Sequence, residues 1–186
     1  MKIYPRVYTE LLKKHLSENR QMAFMSGPRQ VGKTTVCRGL ADVCLNWDNQ
    51  DECALILKGP AAVASFAELQ KLHAPKRIVA FDEIHRYTRW KTFLKGFFDV
   101  YGETVGIVVT GSSRLDVFRR GGDSLMGRYF LYRMHPFSVA ELISAAVSED
   151  VISPPRPLAD DEWDALWAHG GFPEPFVKRD ARFSRR

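Results

Sequence analysis

Gly27-Pro28-Arg29-Gln30-Val31-Gly32-Lys33-Thr34 matches the pattern G-x-x-x-x-G-K-[ST], and this stretch decides how the rest of the chain reads. Two glycines let a loop close tightly around a phosphate chain with its backbone N–H groups turned inward. Lys33 then supplies a cation for the β- and γ-phosphates, and the Thr34 hydroxyl is an oxygen ligand suited to magnesium. Both stand at the start of a helix, whose N-terminus adds about half a positive charge. Gly27, Pro28, Arg29, Gln30, Val31, Gly32, Lys33, Thr34 and Thr35 are therefore the expected binding set for a nucleoside triphosphate with magnesium.

The flanks support this reading. Met22-Ala23-Phe24-Met25-Ser26 is a short apolar run that reads as a buried strand feeding the loop. Thr35-Val36-Cys37-Arg38-Gly39-Leu40-Ala41 continues as the helix, weakened by about 1 kcal/mol at Gly39 relative to alanine. Strand, loop and helix in that order are what the phosphate-loop pattern requires.

Further out, Tyr8, Leu11, Leu12, His15 and Leu16 predict an amphipathic first helix, with Thr9 near its start. Val43-Cys44-Leu45-Asn46-Trp47-Asp48 reads as a second strand, and Pro60 opens a helix expected to reach about His73. Lys76-Arg77-Ile78-Val79-Ala80-Phe81-Asp82-Glu83 is a third strand. Trp90, Phe93, Leu94, Phe97, Phe98 and Tyr101 form the core-facing stripe of a helix ended by Gly102. Val105-Gly106-Ile107-Val108-Val109-Thr110 and Arg128-Tyr129-Phe130-Leu131-Tyr132-Arg133 are the fourth and fifth strands. A helix follows Ser138, a Pro-rich linker spans Ser153-Pro154-Pro155-Arg156-Pro157, and Asp160 or Asp161 caps a last helix that Gly170-Gly171 ends. The alternation predicts an α/β fold: a five-stranded parallel sheet between two helical layers. The expected division is a core over residues 1–150, then a linker and the start of an incomplete helical segment over 151–186.

The 186 residues are 45% hydrophobic and 26% charged, which suits a globular protein rather than a disordered one. No run approaches the eighteen or so apolar residues that span a bilayer, and the first residues lack a signal-peptide core, so a cytoplasmic location without membrane association is expected. Cys37, Cys44 and Cys53 lack the C-x-x-C spacing of a zinc or redox site and read as free thiols. The net charge of +5 is compatible with nucleic acid, but a triphosphate site accounts for several of those charges. The densest basic cluster, Lys178-Arg179, Arg182, Arg185 and Arg186, reads as a solvated tail.

Asp82, at the end of a buried strand, is placed to hold magnesium. Glu83 directly after it can orient and deprotonate an attacking water, which points to hydrolysis rather than transfer to a bulky acceptor. The turn Thr110-Gly111-Ser112-Ser113 emerges at the same carboxyl edge of a parallel sheet. Of its hydroxyls Ser112 is the preferred γ-phosphate sensor. Arg128 is the candidate arginine finger, in competition with Arg114, Arg119 and Arg120, and whether it acts on its own site or a neighbour's stays open. His85 is expected to pack or hydrogen-bond beside Glu83.

Taken in order, GPRQVGKTT, FDEIHRYTRWKTFLKG, TGSSRLD, GDSLMGRYFLYRMHPFSVAEL and GGFPEPF resemble the AAA-type P-loop ATPases of bacteria and archaea that usually carry a C-terminal restriction-endonuclease-like domain of unknown function. The resemblance runs from about Tyr4 to Phe176. It implies an AAA+-like core that binds ATP, with Lys33 and Thr34 on phosphate and magnesium, Asp82 on the metal, Glu83 activating water and Arg128 in the G-R element. Asn46-Trp47-Asp48 also matches a recurring motif of that family. The residues of the nuclease-like domain are absent from this sequence. The expected activity is Mg-dependent ATP hydrolysis that changes the shape of the protein or a partner, with further copies or a nucleic acid as the partners left open. The alternative is an ATP-binding switch with negligible turnover. A two-domain helicase is disfavoured because only one such domain fits, and a kinase because no acceptor pocket is evident.

Overall fold

The computed structural model describes residues 4–69, 76–111, 125–147 and 154–180. The chain runs α1 (Val7–Glu18), β1 (Met22–Ser26), α2 (Lys33–Leu40), β2 (Val43–Asn46), α3 (Gln50–Leu57), α4 (Pro60–Phe66), β3 (Arg77–Asp82), a 3-10 turn (Ile84–Arg86), α5 (Trp90–Tyr101), β4 (Val105–Thr110), β5 (Tyr129–Arg133), α6 (Val139–Ile143), α7 (Asp160–His169) and α8 (Pro173–Lys178). All strand pairs are parallel, in the order β2-β3-β4-β1-β5.

Because side chains alternate across a strand, each central strand feeds two cores at once. Met22, Phe24, Val79, Phe81, Ile107 and Val109 join the side chains of α3, α4 and α5 on one face. Ala23, Met25, Ala80 and Val108 meet Leu12 and Leu16 of α1 and Val36 and Cys37 of α2 on the other. Two covered faces explain why β1 and β4 are buried at every position. The aromatic stripe of α5 closes its core, with Phe93 and Phe97 edge-on to Phe81 at ring separations of 5.4 and 5.3 Å. The expected three-layer α/β sheet of the P-loop NTPase type is the observed fold.

A third cluster lies beside the carboxyl edge of the sheet, where Phe176 of α8 packs on Tyr4 and Phe137 at ring separations of 5.2 and 5.4 Å. Gly171 makes this docking possible. A Cβ there would stand 2.3 Å from the Phe137 carbonyl oxygen, and the Phe137 N–H donates to the Gly171 carbonyl at 2.6 Å.

Several boundaries differ from expectation. The helix opened by Pro60 ends at Phe66 rather than near His73, since Glu68 takes a left-handed φ of 54°. The Glu68 and Leu69 N–H groups then close back on Ser65 and Ala64, which is a helix-ending arrangement. Ala159 occupies the N-cap of α7, and Asp160 is its first residue, without a side-chain cap. Strand β2 stops at Asn46. Helices α3 and α8 have no counterpart in the sequence reading. Asn49 caps α3 by accepting from the Asp51 and Glu52 N–H groups. Among the described residues no helix is long and apolar enough to cross a membrane. The thiols of Cys37, Cys44 and Cys53 are free, and burial raises the pKa values of Cys37 and Cys44.

Candidate nucleotide-binding site

A parallel sheet delivers the ends of its strands to one edge. Pairing of Asn46 with Asp82 and of Met25 with Thr110 brings β2, β3, β4 and β1 to that edge together. Strand β1 leads from Ser26 into the glycine loop, and α2 starts at Lys33 behind a left-handed Gly32 with φ 103°. Gly27 has φ 154°, and a Cβ there would meet the Met134 carbonyl oxygen at 2.4 Å. The loop therefore needs glycine for two reasons, the backbone angle and the close passage of the segment after β5.

Lys33 is only 6% exposed, and its ammonium donates to the Gly27 carbonyl at 3.0 Å and the Pro28 carbonyl at 2.8 Å. Burial lowers its pKa, against an opposing pull from the Glu83 and Asp82 carboxylates. Asp82 is 1% exposed, and both its oxygens are occupied. The Thr34 hydroxyl donates to Oδ2 at 2.8 Å, and the Thr110 hydroxyl donates to Oδ1. The two hydroxyls satisfy the hydrogen bonding of this buried carboxylate, and Lys33 supplies a positive charge nearby. Among the described residues, Thr110 is the hydroxyl of its turn that reaches the site. Ser112, preferred from the sequence, lies outside the described residues, as do Ser113, Arg114, Arg119 and Arg120.

Glu83 has a left-handed backbone with φ 55°, an uncommon and strained state for a non-glycine residue. Its side chain lines the cleft, and its Oε2 stands 3.8 Å from His85 Nε2, too far for a hydrogen bond. The cleft has a volume of about 1530 Å³ and a floor formed by the glycine loop. Asp48, Glu83, His85 and Arg86 contribute polar side chains to the cleft wall, and Tyr4, Phe137, Pro173 and Val177 contribute more apolar ones.

Arg6 and Glu141, to which the sequence reading assigned no role in the site, form its frame. The Arg6 guanidinium donates to Glu141 at 2.8 and 3.3 Å, to the Val31 carbonyl at 2.6 Å and to the His135 carbonyl at 2.6 Å. It also lies 4.5 Å over the Phe137 ring. One buried cation thus ties the glycine loop to α6 and to the segment after β5. No local signal could reveal this, because the two partners are 135 residues apart.

Arg128 stands apart from these residues. It precedes β5, and its carbonyl accepts from the Met22 N–H at the amino end of β1. The four strand steps from Met22 to Ser26 put it about 13 Å from the glycine loop, at the opposite edge of the sheet. There its guanidinium donates to both carboxylate oxygens of Asp99 on α5, at 2.8 and 3.3 Å. The structure unites Lys33, Thr34, Asp82 and Glu83, and it leaves Arg128 out of that group.

Comparison with known proteins agrees at the level of family. The uncharacterized proteins Rv2008c of Mycobacterium tuberculosis and Mb2031c of Mycobacterium bovis are each 24% identical over 159 residues, covering 85% of this chain. The chain spans 31% of the length of each of these relatives. Among solved structures it is similar to C. elegans PCH-2, with a TM-score of 0.48, 18% identity, and coverage of 70% of this chain and 41% of that one. It is also similar to the helicase domain of Pyrococcus furiosus Hef, with a TM-score of 0.35, 12% identity, and coverage of 69% and 38%. Both scores lie under 0.5, and neither likeness bears on function. A family model described as AAA domain matches residues 19–143, about two thirds of the chain, over β1 to α6. A glycine loop, a buried Asp82 bound to Thr34, and that match together make this a nucleotide-binding, ATPase-type core, and the chain belongs to the AAA domain family.

Proposed function

We propose that this core binds ATP with magnesium and hydrolyses it, with Glu83 as the general base. The observation that carries the reading is the 2.8 Å contact between the Thr34 hydroxyl and the Asp82 carboxylate, directly beside Lys33. It brings two hard oxygen donors from distant parts of the chain to one point. Among the described residues no three His, Cys, Asp or Glu side chains cluster as a metal site. Magnesium at a phosphate site does not need such a cage, since it takes one or two protein oxygens and fills its shell with phosphate and water. Thr34 and Asp82 would hold it, and it would neutralise charge on the phosphate chain.

The protein's own groups supply the rest. Lys33 exchanges its two loop carbonyls for phosphate oxygens, which are ionised and therefore stronger acceptors. Thr110 keeps Asp82 oriented. Glu83, at the cleft wall, takes the proton of the attacking water. The more apolar side chains of Tyr4, Phe137, Pro173 and Val177 fit the flat face of a nucleotide base. In this reading residues 1–150 are the engine, and 151–186 begin a helical segment docked on it through Phe176. A role for Arg128 requires a second copy that presents it to a neighbour's phosphates. The partner process is a change of shape driven by turnover, in the cytoplasm.

The test is Glu83→Gln, assayed for ATP binding and phosphate release. Binding should persist while turnover falls by about 10²- to 10⁴-fold, the usual contribution of a positioned base. Turnover that survives in Glu83→Gln removes Glu83 as the base. Binding without turnover in the wild-type chain makes it an ATP-dependent switch.

A further inference from the structure

The cleft wall that holds Glu83 also holds an arginine outside the roles assigned above. Arg86 closes the 3-10 turn after β3, and its backbone N–H donates to the Glu83 carbonyl at 3.1 Å. Its guanidinium is paired with Asp48, which belongs to the turn after β2. Both side chains line the cleft, and both are about half exposed.

The two turns are held together without this ion pair. The Trp47 ring stacks on Tyr87 at 4.8 Å and 15°. The Trp47 N–H donates to the Asp82 carbonyl at 3.0 Å, and within its own turn the Asp48 N–H donates to the Asn46 side-chain oxygen at 2.8 Å. A half-exposed ion pair contributes little to stability, so the Asp48–Arg86 contact can open at small cost while the turns stay in place. A guanidinium offers a planar fork of donors that matches phosphate oxygens in a bidentate way. Tethered three residues from Glu83, it lines the same cleft.

We infer that Arg86 is a specificity-determining ligand for the terminal phosphate of a bound triphosphate, exchanging Asp48 for that phosphate when the nucleotide binds. This rests on the reading of the cleft as a nucleoside triphosphate site. The exchange is a change of ionic partner, with no bond made or broken. It makes Arg86 sensitive to the difference between a tri- and a diphosphate, and it passes that difference to the turn after β2 as a free or an occupied Asp48.

The experiment is calorimetric titration of the wild-type chain, Arg86→Ala, Arg86→Lys and Asp48→Asn with magnesium and either a non-hydrolysable ATP analogue or ADP, with thermal melting to check folding. In Arg86→Ala the analogue should bind about tenfold or more weakly while ADP affinity stays as in the wild type, the loss expected for charge-assisted hydrogen bonds. Arg86→Lys should recover part of the preference. Asp48→Asn, which removes the competing carboxylate, should bind the analogue a few-fold more tightly with ADP unchanged. An equal loss for both nucleotides in Arg86→Ala, or an unchanged ratio, overturns the inference and leaves the nucleotide site standing. Failure of the wild-type chain to bind either nucleotide overturns both.

Discussion

The two edges of one sheet differ in what they ask of the backbone. At the carboxyl edge Gly27, Gly32 and Glu83 all have left-handed angles, Lys33, Asp82, Arg6 and Glu141 are buried, and the glycine loop presses against the segment after β5. At the amino edge Gly127 is also left-handed, but a Cβ there would meet nothing within 4 Å, and Arg128 faces Asp99 near solvent. Buried charge is costly, and Lys33, Asp82, Arg6 and Glu141 gather where phosphate would be held; backbone strain is found at both edges, at Glu83 on one and at Glu68, beside the start of β3, on the other.

The sharpest way to break the contrast is to remove a charge at each edge. Glu141→Ala should lower stability by about 3–5 kcal/mol, because it leaves the Arg6 guanidinium buried beside Val31 and His135 without its carboxylate. Asp99→Ala should leave the melting temperature near that of the wild type, since that pair is solvent-screened. Denaturant unfolding of the two variants decides it, and equal losses would erase the distinction.

Glycine offers the next test. Gly27→Ala should cost about 2–4 kcal/mol, combining a backbone clash at 2.4 Å with an unfavourable angle, whereas Gly127→Ala carries only the angle, about 1 kcal/mol. Urea titrations read both. For binding, Lys33→Ala should weaken triphosphate affinity by about tenfold to a hundredfold, the worth of one or more charge-assisted contacts, while Arg128→Ala in the isolated chain should not change it. A fluorescent nucleotide titration that showed equal losses would return Arg128 to its own site.

The smallest effect concerns His15 at the end of α1. Its Nε2 donates to the Gln21 carbonyl at 2.7 Å and its Nδ1 accepts from the Tyr132 hydroxyl at 2.8 Å, and burial lowers its pKa from 6.5. The folded state thus binds a proton less readily than the unfolded one. Its contribution is complete above pH 6.5 and declines as the pH falls through that value towards the lower folded pKa. Melting temperatures at pH 7.5 and 5.5 should differ more for the wild type than for His15→Gln.

Much of this was legible in one dimension. The glycine loop, the apolar runs of β1, β3 and β4 and the stripe of α5 are local patterns whose periods match the element that buries them. Helix α3 escaped notice because Ile56 is its only buried residue, so no clear stripe marks it. The end of α4 escaped because Glu68 takes its left-handed turn although its residue type does not favour it. Thr110 and Ser112 are indistinguishable as hydroxyls after a strand. Pairing of β3 with β4 is what sets Thr110 against Asp82.

By itself the sequence singled out the residues on which the proposed binding chemistry rests. Lys33, Thr34, Asp82 and Glu83 sit in short motifs whose meaning depends on neighbours a few residues away. The tertiary structure alone decided that Arg6 and Glu141 hold the glycine loop, that Arg86 shares the cleft with Glu83, and that Arg128 does not. Each of those facts depends on which strands lie side by side and which of their ends share an edge. Parallel pairing across long crossovers brings together residues that no local pattern links.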